Sequence, residues 1–543
     1  MVYIIENKIK IHKAHMIKNL YFLKFKRYNL LILGVFLWLY VCSNINAYPL
    51  PLLKLKTAIL FGDLNIVEKV FVIFNFFRSY SVYFIPLILF FIVKYKNEIK
   101  LNIFINLYLL FFLSQVIGTL MLLDIEKYNY ERNFLLYNSF SALLVAYFLS
   151  MDEIEKYLKY FLLLTLSLLF FVVAFHIFKI IEEYIYKPEM FFFYNSQLWD
   201  KLVLGNAYIR VTGLSRSLML IFIVLFSINL FQSNSKMKKI ILNILIFFTI
   251  FFIWILQSRT QIYLLPILVS VMFLFFYNKQ NTKKIFINLF LISLYFALSY
   301  LLVPKLYDYK KDLYKNADVN SNFGKKYLIE KNKIEKEVLE QKNFEKEISR
   351  NLRKQTLETF ESNSQKNFEK EISRNLRKQT LETIESNVQK KLRVTIIENF
   401  TSSRILIWKN MLSNFDKMKL FGYGNQADRF ELSVTQSENK YNHFYNNSSN
   451  ALVYSFICGG YIGLIIFIII NLYILYKILI ILKNNNKFKK DWSLISSISI
   501  IIFLMLRSIV ENGHANFSLD FLIFVLCSLI IIKKSKKLVY FKN

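Results

Sequence analysis

The chain has 543 residues, 55% of them hydrophobic, with 55 Phe and 35 Tyr, and carries a formal charge of +32. A single soluble core with a basic tail does not fit. The apolar residues recur in blocks of roughly 16 to 25, close to the 20 or so that one helix needs to cross a bilayer. Nor does the charge point to nucleic acid: lysine dominates, lies in short loops between the apolar blocks, and no nucleic-acid motif accompanies it.

In lipid each spanning segment must satisfy its own backbone, so the blocks predict an all-α polytopic transmembrane bundle of about twelve helices. The first, Leu30–Ile45, follows Lys8, Lys10, Lys13, Lys18, Lys24, Lys26 and Arg27. It reads as a retained anchor rather than a signal peptide, because the charged region is long and the cleavage signal near Ala47 is poor. Next come Ser79–Val93, Leu101–Leu123, Phe134–Ser150, Leu158–Phe178 and Leu214–Phe231. Ile240–Leu256, Ile262–Tyr277 and Ile285–Val303 complete an N-terminal membrane domain, residues 1–303. Residues 304–450 form one long polar loop, and residues 451–543 carry Ala451–Tyr476, Leu494–Leu506, Phe517–Ile532 and a basic tail.

The lysines set the orientation. Lys94/Lys96/Lys100, Lys236/Lys238/Lys239, Lys279/Lys283/Lys284, Lys483/Lys487/Lys489/Lys490 and Lys533/Lys534/Lys536/Lys537 share one side of that count. They therefore mark the cytoplasmic face, with both termini cytoplasmic and loop 304–450 outside. Only the Asp152–Lys156 loop is ambiguous. Inside the large loop a 24-residue unit from Gln341 repeats from Gln365, differing only at Phe360/Ile384 and Ser364/Val388. Phe344, Ile348 and Leu352 share a helical face while Leu357 and Phe360 lie well round from it, so the repeat (341–388) reads as a solvated helical insertion. Cys42, Cys458 and Cys527 lie in or beside apolar blocks without metal-like spacing and read as packing residues.

The arginines behave differently from the lysines. Arg78, Arg210, Arg216, Arg259 and Arg507 fall on the predicted outer face, with Arg404 in the large loop. Basic residues normally avoid that face, so the cluster points to a polyanion. Taken singly, Arg78 and Arg507 read as snorkelling to lipid phosphates. Glu511 and His514 close the eleventh helix at the same face, where an acid or base is useful and where loop solvation explains them equally well.

Four local patterns accompany these residues. YIRVTG spans Tyr208–Gly213 ahead of the sixth helix, and QSRT spans Gln257–Thr260 at an outer turn. SSRILIWK at Ser402–Lys409 is followed by LFGYG at Leu420–Gly424. SNALV at Ser449–Val453 runs into GGYIG at Gly459–Gly463. From about Arg210 to Gly463, and in the long loop late in the chain, this set resembles the O-antigen ligase/polymerase family. Those proteins are inner-membrane glycosyltransferases that use undecaprenyl-diphosphate-linked glycans.

The resemblance implies that Arg210 and Arg259 bind the donor diphosphate. It also implies that Arg404 and Trp408 belong to a helix packing the loop over the site, and that Gly422 and Gly424 make its turn. Arg216 and Asn450 join Arg404 and Trp408 as expected substrate-binding residues. Family ligases place a His before the Asn of the last motif. Here that position is Ser449, and the nearest histidine is His443, so the expected catalytic set is Arg210, Arg259, His443, Ser449 and Glu511.

The chemistry agrees. Transfer from a lipid diphosphate leaves an anion, and fixed guanidinium groups stabilise its growing charge. His12, His15, His176, His443 and His514 are scattered, so a metal-independent enzyme without a cofactor is expected. Its partners would be the bilayer, an undecaprenyl-diphosphate-linked glycan donor, and an acceptor. The acceptor is lipid A-core for a ligase or a second lipid-linked glycan for a polymerase. The alternative is a polysaccharide or lipid-linked oligosaccharide flippase. Such proteins carry charge near the midplane and Gly- or Pro-broken helices, whereas this chain has 12 Gly, 6 Pro and its arginines at one face.

Overall fold

The architecture comes from a computed structural model that describes residues 102–121, 130–186, 211–231, 235–256, 259–276, 282–315, 408, 411, 420–428, 448, 450–483 and 491–540. Among these there is no strand, and ten α-helices follow in order. They are α1 (Ile103–Met121), α2 (Tyr130–Ser150), α3 (Leu158–Tyr186), α4 (Val211–Phe231), α5 (Lys236–Ile255), α6 (Arg259–Phe276), α7 (Thr282–Lys315), α8 (Ala451–Lys483), α9 (Trp492–Arg507) and α10 (Leu519–Tyr540). Each stands where an apolar block predicts one. The two predicted spans Leu30–Ile45 and Ser79–Val93 and the repeat 341–388 lie outside the described residues.

Among the described residues, five helices are long and apolar enough to cross a membrane: Ile103–Met121, Gly213–Phe231, Lys236–Ile255, Phe286–Val303 and Ala451–Lys483. The chain is thus a multi-pass membrane protein. The predicted fourth and fifth spans are a bent pair instead of two clear crossings. Leu135–Ser150 and Ile154–Ser167 meet at 104°. Their connection is a short 3-10 helix, Asp152–Tyr157, too tight to carry a polar loop away from the apolar segments. α6 and α9 are shorter apolar helices, with Pro266 inside α6.

Contacts divide the chain into two compact units. The first comprises Met1–Phe178, Phe192–Val303 and Met411–Asn543; the second comprises Lys179–Phe191 and Pro304–Asn410. In the first unit α8 packs chiefly on α1, and α9 on α10 and α4. Glycine sets the closeness of α1 and α8: a Cβ on Gly459 or Gly463 would press on Ser114, 2.9 and 3.1 Å away. Small residues at such a contact let backbones approach and gain dispersion where lipid offers no hydrophobic drive. Below it the packing is aromatic. Tyr108 meets Phe521 edge to face at 4.8 Å, and Phe111 and Phe112 pack on Phe517.

Two ends of this unit differ in character. At one, α10 brings up its lysines: Lys533 Nζ donates to the Met151 carbonyl (3.1 Å), Lys534 pairs with Asp491 (2.7 Å) and Lys537 with Glu155 (2.9 Å). The Asp152–Lys156 turn, whose side the charge pattern leaves open, therefore shares an end with the basic close of α10. Asp491 also caps α9, accepting from Ser493 N (3.2 Å) and Leu494 N (3.4 Å), where an anion suits the helix dipole. The other end gathers the starts of α4, α8 and α10 and the close of α9, and holds the arginines.

Candidate active site

The site begins with a broken helix. α8 is interrupted at Gly460, whose φ of 64° and ψ of −159° are non-helical. A side chain rarely adopts that backbone, and a Cβ there would run into the Leu420 carbonyl. The break frees two carbonyls, and the LFGYG segment supplies their partners. Tyr423 N donates to Ile457 O (2.8 Å) and Gly424 N to Cys458 O (3.1 Å). Backbone freed inside a membrane domain needs such partners, since lipid offers none. The segment turns through Gly422 at φ 65° and Gly424 at φ 90°, the two glycines expected to make its turn.

Beyond the turn a polar network ties the loop to three helices. Asn425 N donates to Thr119 Oγ1 on α1 (3.1 Å), and Asn425 Nδ2 to Ser139 Oγ on α2 (3.3 Å). Gln426 Nε2 donates to Tyr454 OH (3.1 Å) and to Asn516 Oδ1 (2.8 Å). Asp428 is fully buried. Its Oδ2 accepts from Ser448 N (2.9 Å) and Asn512 Nδ2 (3.3 Å), and Ser448 Oγ lies 2.9 Å from Asn512 Oδ1. Asn450, expected to touch substrate, caps α8. Its Oδ1 accepts from Leu452 N (2.9 Å) and Val453 N (3.0 Å), while its Nδ2 donates to Ile509 O (2.8 Å).

Beside this network lies a buried charge cluster. Arg216, in the first turns of α4, donates from Nη1 to Asp520 Oδ2 at 3.0 Å. Arg507, in the last turn of α9, donates from Nη1 to the same oxygen at 2.9 Å. Arg216 and Arg507 are each 3% exposed and Asp520 1%. Helix dipoles favour a cation at the close of α9 and an anion in the first turn of α10, which is where Arg507 and Asp520 stand.

Asp520 alone does not balance two guanidiniums, and the second carboxylate, Glu511, is more distant. The two Nη1 atoms are at most about 6 Å apart. At an effective dielectric of about 20, unit charges at that distance repel by roughly 3 kcal/mol. Glu511 approaches Arg507 Nη2 at 3.8 Å, and its side chain, 24% exposed, is the cluster's outlet toward the surface. Arg216 Nε and Nη2 and Arg507 Nε have no partner. Buried donors left unmade are costly, so these N–H groups are free to take an anion's oxygens.

Of the residues expected from sequence, Arg216, Glu511 and Asn450 meet here. Arg259 heads α6, its side chain outside the described residues, as are Arg210, Arg404, His443 and Ser449. Trp408 lies in the second unit, partly exposed. Arg507, read as snorkelling, is buried on Asp520 instead. His514, read as a possible acid or base, is enclosed. Its ring stacks on Phe524 at 4.0 Å and its Nε2 meets Asn471 Oδ1 at 2.9 Å. Burial, only partly offset by Asp520, pushes its pKa down to about 3, so it stays neutral and serves packing. Sequence reasoning passed over Asp520 and Asp428. For Asp520 the available signal was an aspartate inside an apolar block, a costly placement that needs a partner; Asp428 lies in a polar stretch and offers no such signal.

Residues 221–468 match the family model described as O-antigen ligase. The match runs from within α4 through the LFGYG loop and past the break in α8. Arg210 and Arg216 lie just ahead of it, and Arg507, Glu511 and Asp520 follow it. No curated protein and no solved structure matches the chain.

Proposed function

We propose that this chain, which belongs to the O-antigen ligase/polymerase family through its domain at residues 221–468, transfers glycan from undecaprenyl diphosphate to a sugar hydroxyl at the periplasmic face of the inner membrane. The family ties it to polysaccharide biosynthesis. The donor, the acceptor and the residue roles are our reading. Its main support is the pair of buried arginines that share one carboxylate and keep guanidinium N–H groups unmade.

In this reading Arg210 and Arg259 hold the donor diphosphate, and Arg216 and Arg507 add guanidinium donors and fixed positive charge. As the glycosidic bond to phosphate breaks, negative charge grows on the leaving diphosphate. Guanidinium forks already in place meet that charge without reorganising, and their geometry matches phosphate oxygens in pairs. Arg404 and Trp408 keep the substrate-binding role that the family resemblance implies for them. A base must take the acceptor hydroxyl's proton as its oxygen attacks the anomeric carbon. His443 and Glu511 are the titratable candidates for that role, and Ser449 occupies the family's histidine position. His514 does not suit the role, being enclosed and neutral.

The test is surface-glycan display in cells lacking the endogenous enzyme. Arg210→Ala or Arg259→Ala should lower transfer roughly a hundred- to a thousandfold, the usual cost of removing one charge-stabilising donor. Arg→Lys should recover part of it, keeping the charge and losing the fork. Normal transfer by both alanine variants would falsify the donor site. Transfer of finished chains to lipid A-core marks a ligase; elongation of lipid-linked repeat units marks a polymerase.

A further inference from the structure

The polar network beside the arginine cluster turns on one carboxylate. Asp428 Oδ2 accepts from Ser448 N (2.9 Å), Ser448 Oγ (3.1 Å) and Asn512 Nδ2 (3.3 Å). Asn512 Oδ1 accepts in turn from Asn450 N (3.0 Å) and lies 2.9 Å from Ser448 Oγ. Ser448 and Asn450 are thus gripped on either side of position 449, which the family resemblance gives to a histidine. The same residues are fastened to the close of α9. Ala451 N donates to Ser508 O (2.8 Å) and Asn450 Nδ2 to Ile509 O (2.8 Å). Asn512 itself follows directly on Glu511, the partner of Arg507.

Capping alone does not call for this carboxylate, because Asn450 Oδ1 already caps α8 through Leu452 N and Val453 N. Asp428 instead joins residues 20 and 84 positions away. It is fully buried, where a charge is kept only with hydrogen bonds around it. An ionised acceptor holds its donors about twice as strongly as a neutral one, so the junction is stiff. We propose that Asp428 is a positioning residue that, with Asn512, clamps Ser448 and Asn450 against the turn carrying Glu511. This role rests on the glycan-transfer reading. There the family's histidine position and the arginine-bearing close of α9 lie on different segments, and the clamp fixes the register between them. Asp428 is enclosed and acts only through the residues it holds.

Amide exchange of the full chain in detergent reads the clamp without the reaction. Peptides spanning 448–453 should exchange about tenfold faster in D428A, the factor for one hydrogen bond to a charged group. N512A should open the same peptides, and D428A/N512A should be no faster than the faster single variant, since both break one junction. Transfer is then followed per monodisperse molecule, with lipid-linked glycan extracted from the cells that make it. In D428A and N512A kcat should fall about a hundredfold, as ångström-scale misplacement costs, while the donor KM holds. D428N, which keeps an acceptor oxygen, should regain part of the rate. Unchanged exchange in both single variants, or parental kcat in both, overturns the proposal. So does a rise in donor KM at unchanged kcat, which would make Asp428 a prop of the donor site. A wild-type chain that transfers no glycan overturns the proposed function itself, while the exchange measurement decides the clamp independently.

Discussion

The two ends of the first unit carry opposite solutions to the same problem of placing charge beside a membrane. At the lysine end the pairs are one to one and partly exposed, with Lys537 and Glu155 at 57% and 33% side-chain exposure. At the arginine end two cations share a single oxygen of Asp520, almost fully enclosed. The first arrangement can be lost with little consequence, since exposed pairs contribute about 0.2–1 kcal/mol. The second is costly to build and leaves donors unmade, which is poor design for stability and good design for holding an anion. Enclosed charge with donors left over is the feature on which the proposed working end rests, whereas the lysine end pairs its charges one to one and nearer to the surface.

The largest effect expected from this contrast is at Asp520. Asp520→Ala strips both arginines of their shared anion and should destabilise the unit by about 3–5 kcal/mol, as breaking a buried pair does. Thermal unfolding in detergent reads it directly, and parental stability in that variant would erase the distinction between the ends. Next is Arg216→Lys. Transfer should fall by roughly a hundredfold if the fork contacts the donor, while the amount of protein in the membrane holds. Loss of protein in proportion to activity would make Arg216 a purely structural residue.

Gly460→Ala tests the backbone of the same end. The left-handed φ, together with the Leu420 carbonyl in the way of a Cβ, should cost about 1–3 kcal/mol. Retention of full stability would mean that α8 is not held broken by the LFGYG loop.

The smallest effects belong to the lysine end. Lys537→Ala should change stability by no more than about 0.5 kcal/mol. Asp491 adds a pH signature. Burial raises its pKa, but hydrogen bonds from Lys534 and Ser493 and the Lys534 charge outweigh this and hold it below the ordinary 3.8. A depressed carboxyl stabilises the fold above its unfolded value. That contribution fades as pH falls below 3.8 and through the folded value. Acid titration of thermal stability should show the step in the parent and not in Lys534→Ala, whose Asp491 has lost its partner.

Much of this was legible in the sequence because hydropathy and charge are local properties. Helices stand at every predicted block within the described residues, and the ends of α4, α8, α9 and α10 predicted to share a face are joined there by Asp520, Asn450 and Asn512. What escaped was what depends on distance along the chain. Arg216 and Asp520 are 304 positions apart, and no window on either shows the other. Arg507 looks like a lipid anchor until its neighbour is known. The glycines of GGYIG were visible as a motif. That Gly460 breaks α8, and that the LFGYG amides close the break, needs both segments together. The bent pair α2–α3 likewise reads as two ordinary spans, because composition does not encode a 104° angle.

The capping of broken α8 by the LFGYG loop also has a consequence for biogenesis. Thr119, which receives the loop through Asn425, leaves the ribosome 306 residues before its partner. During that interval α1 lies in the bilayer with its docking face, Ser114 to Thr119, unoccupied. Contacts of such long range form late and leave nascent chains exposed to mispairing. A chain terminated before residue 420 can insert its early helices and still lack the segment that closes the site.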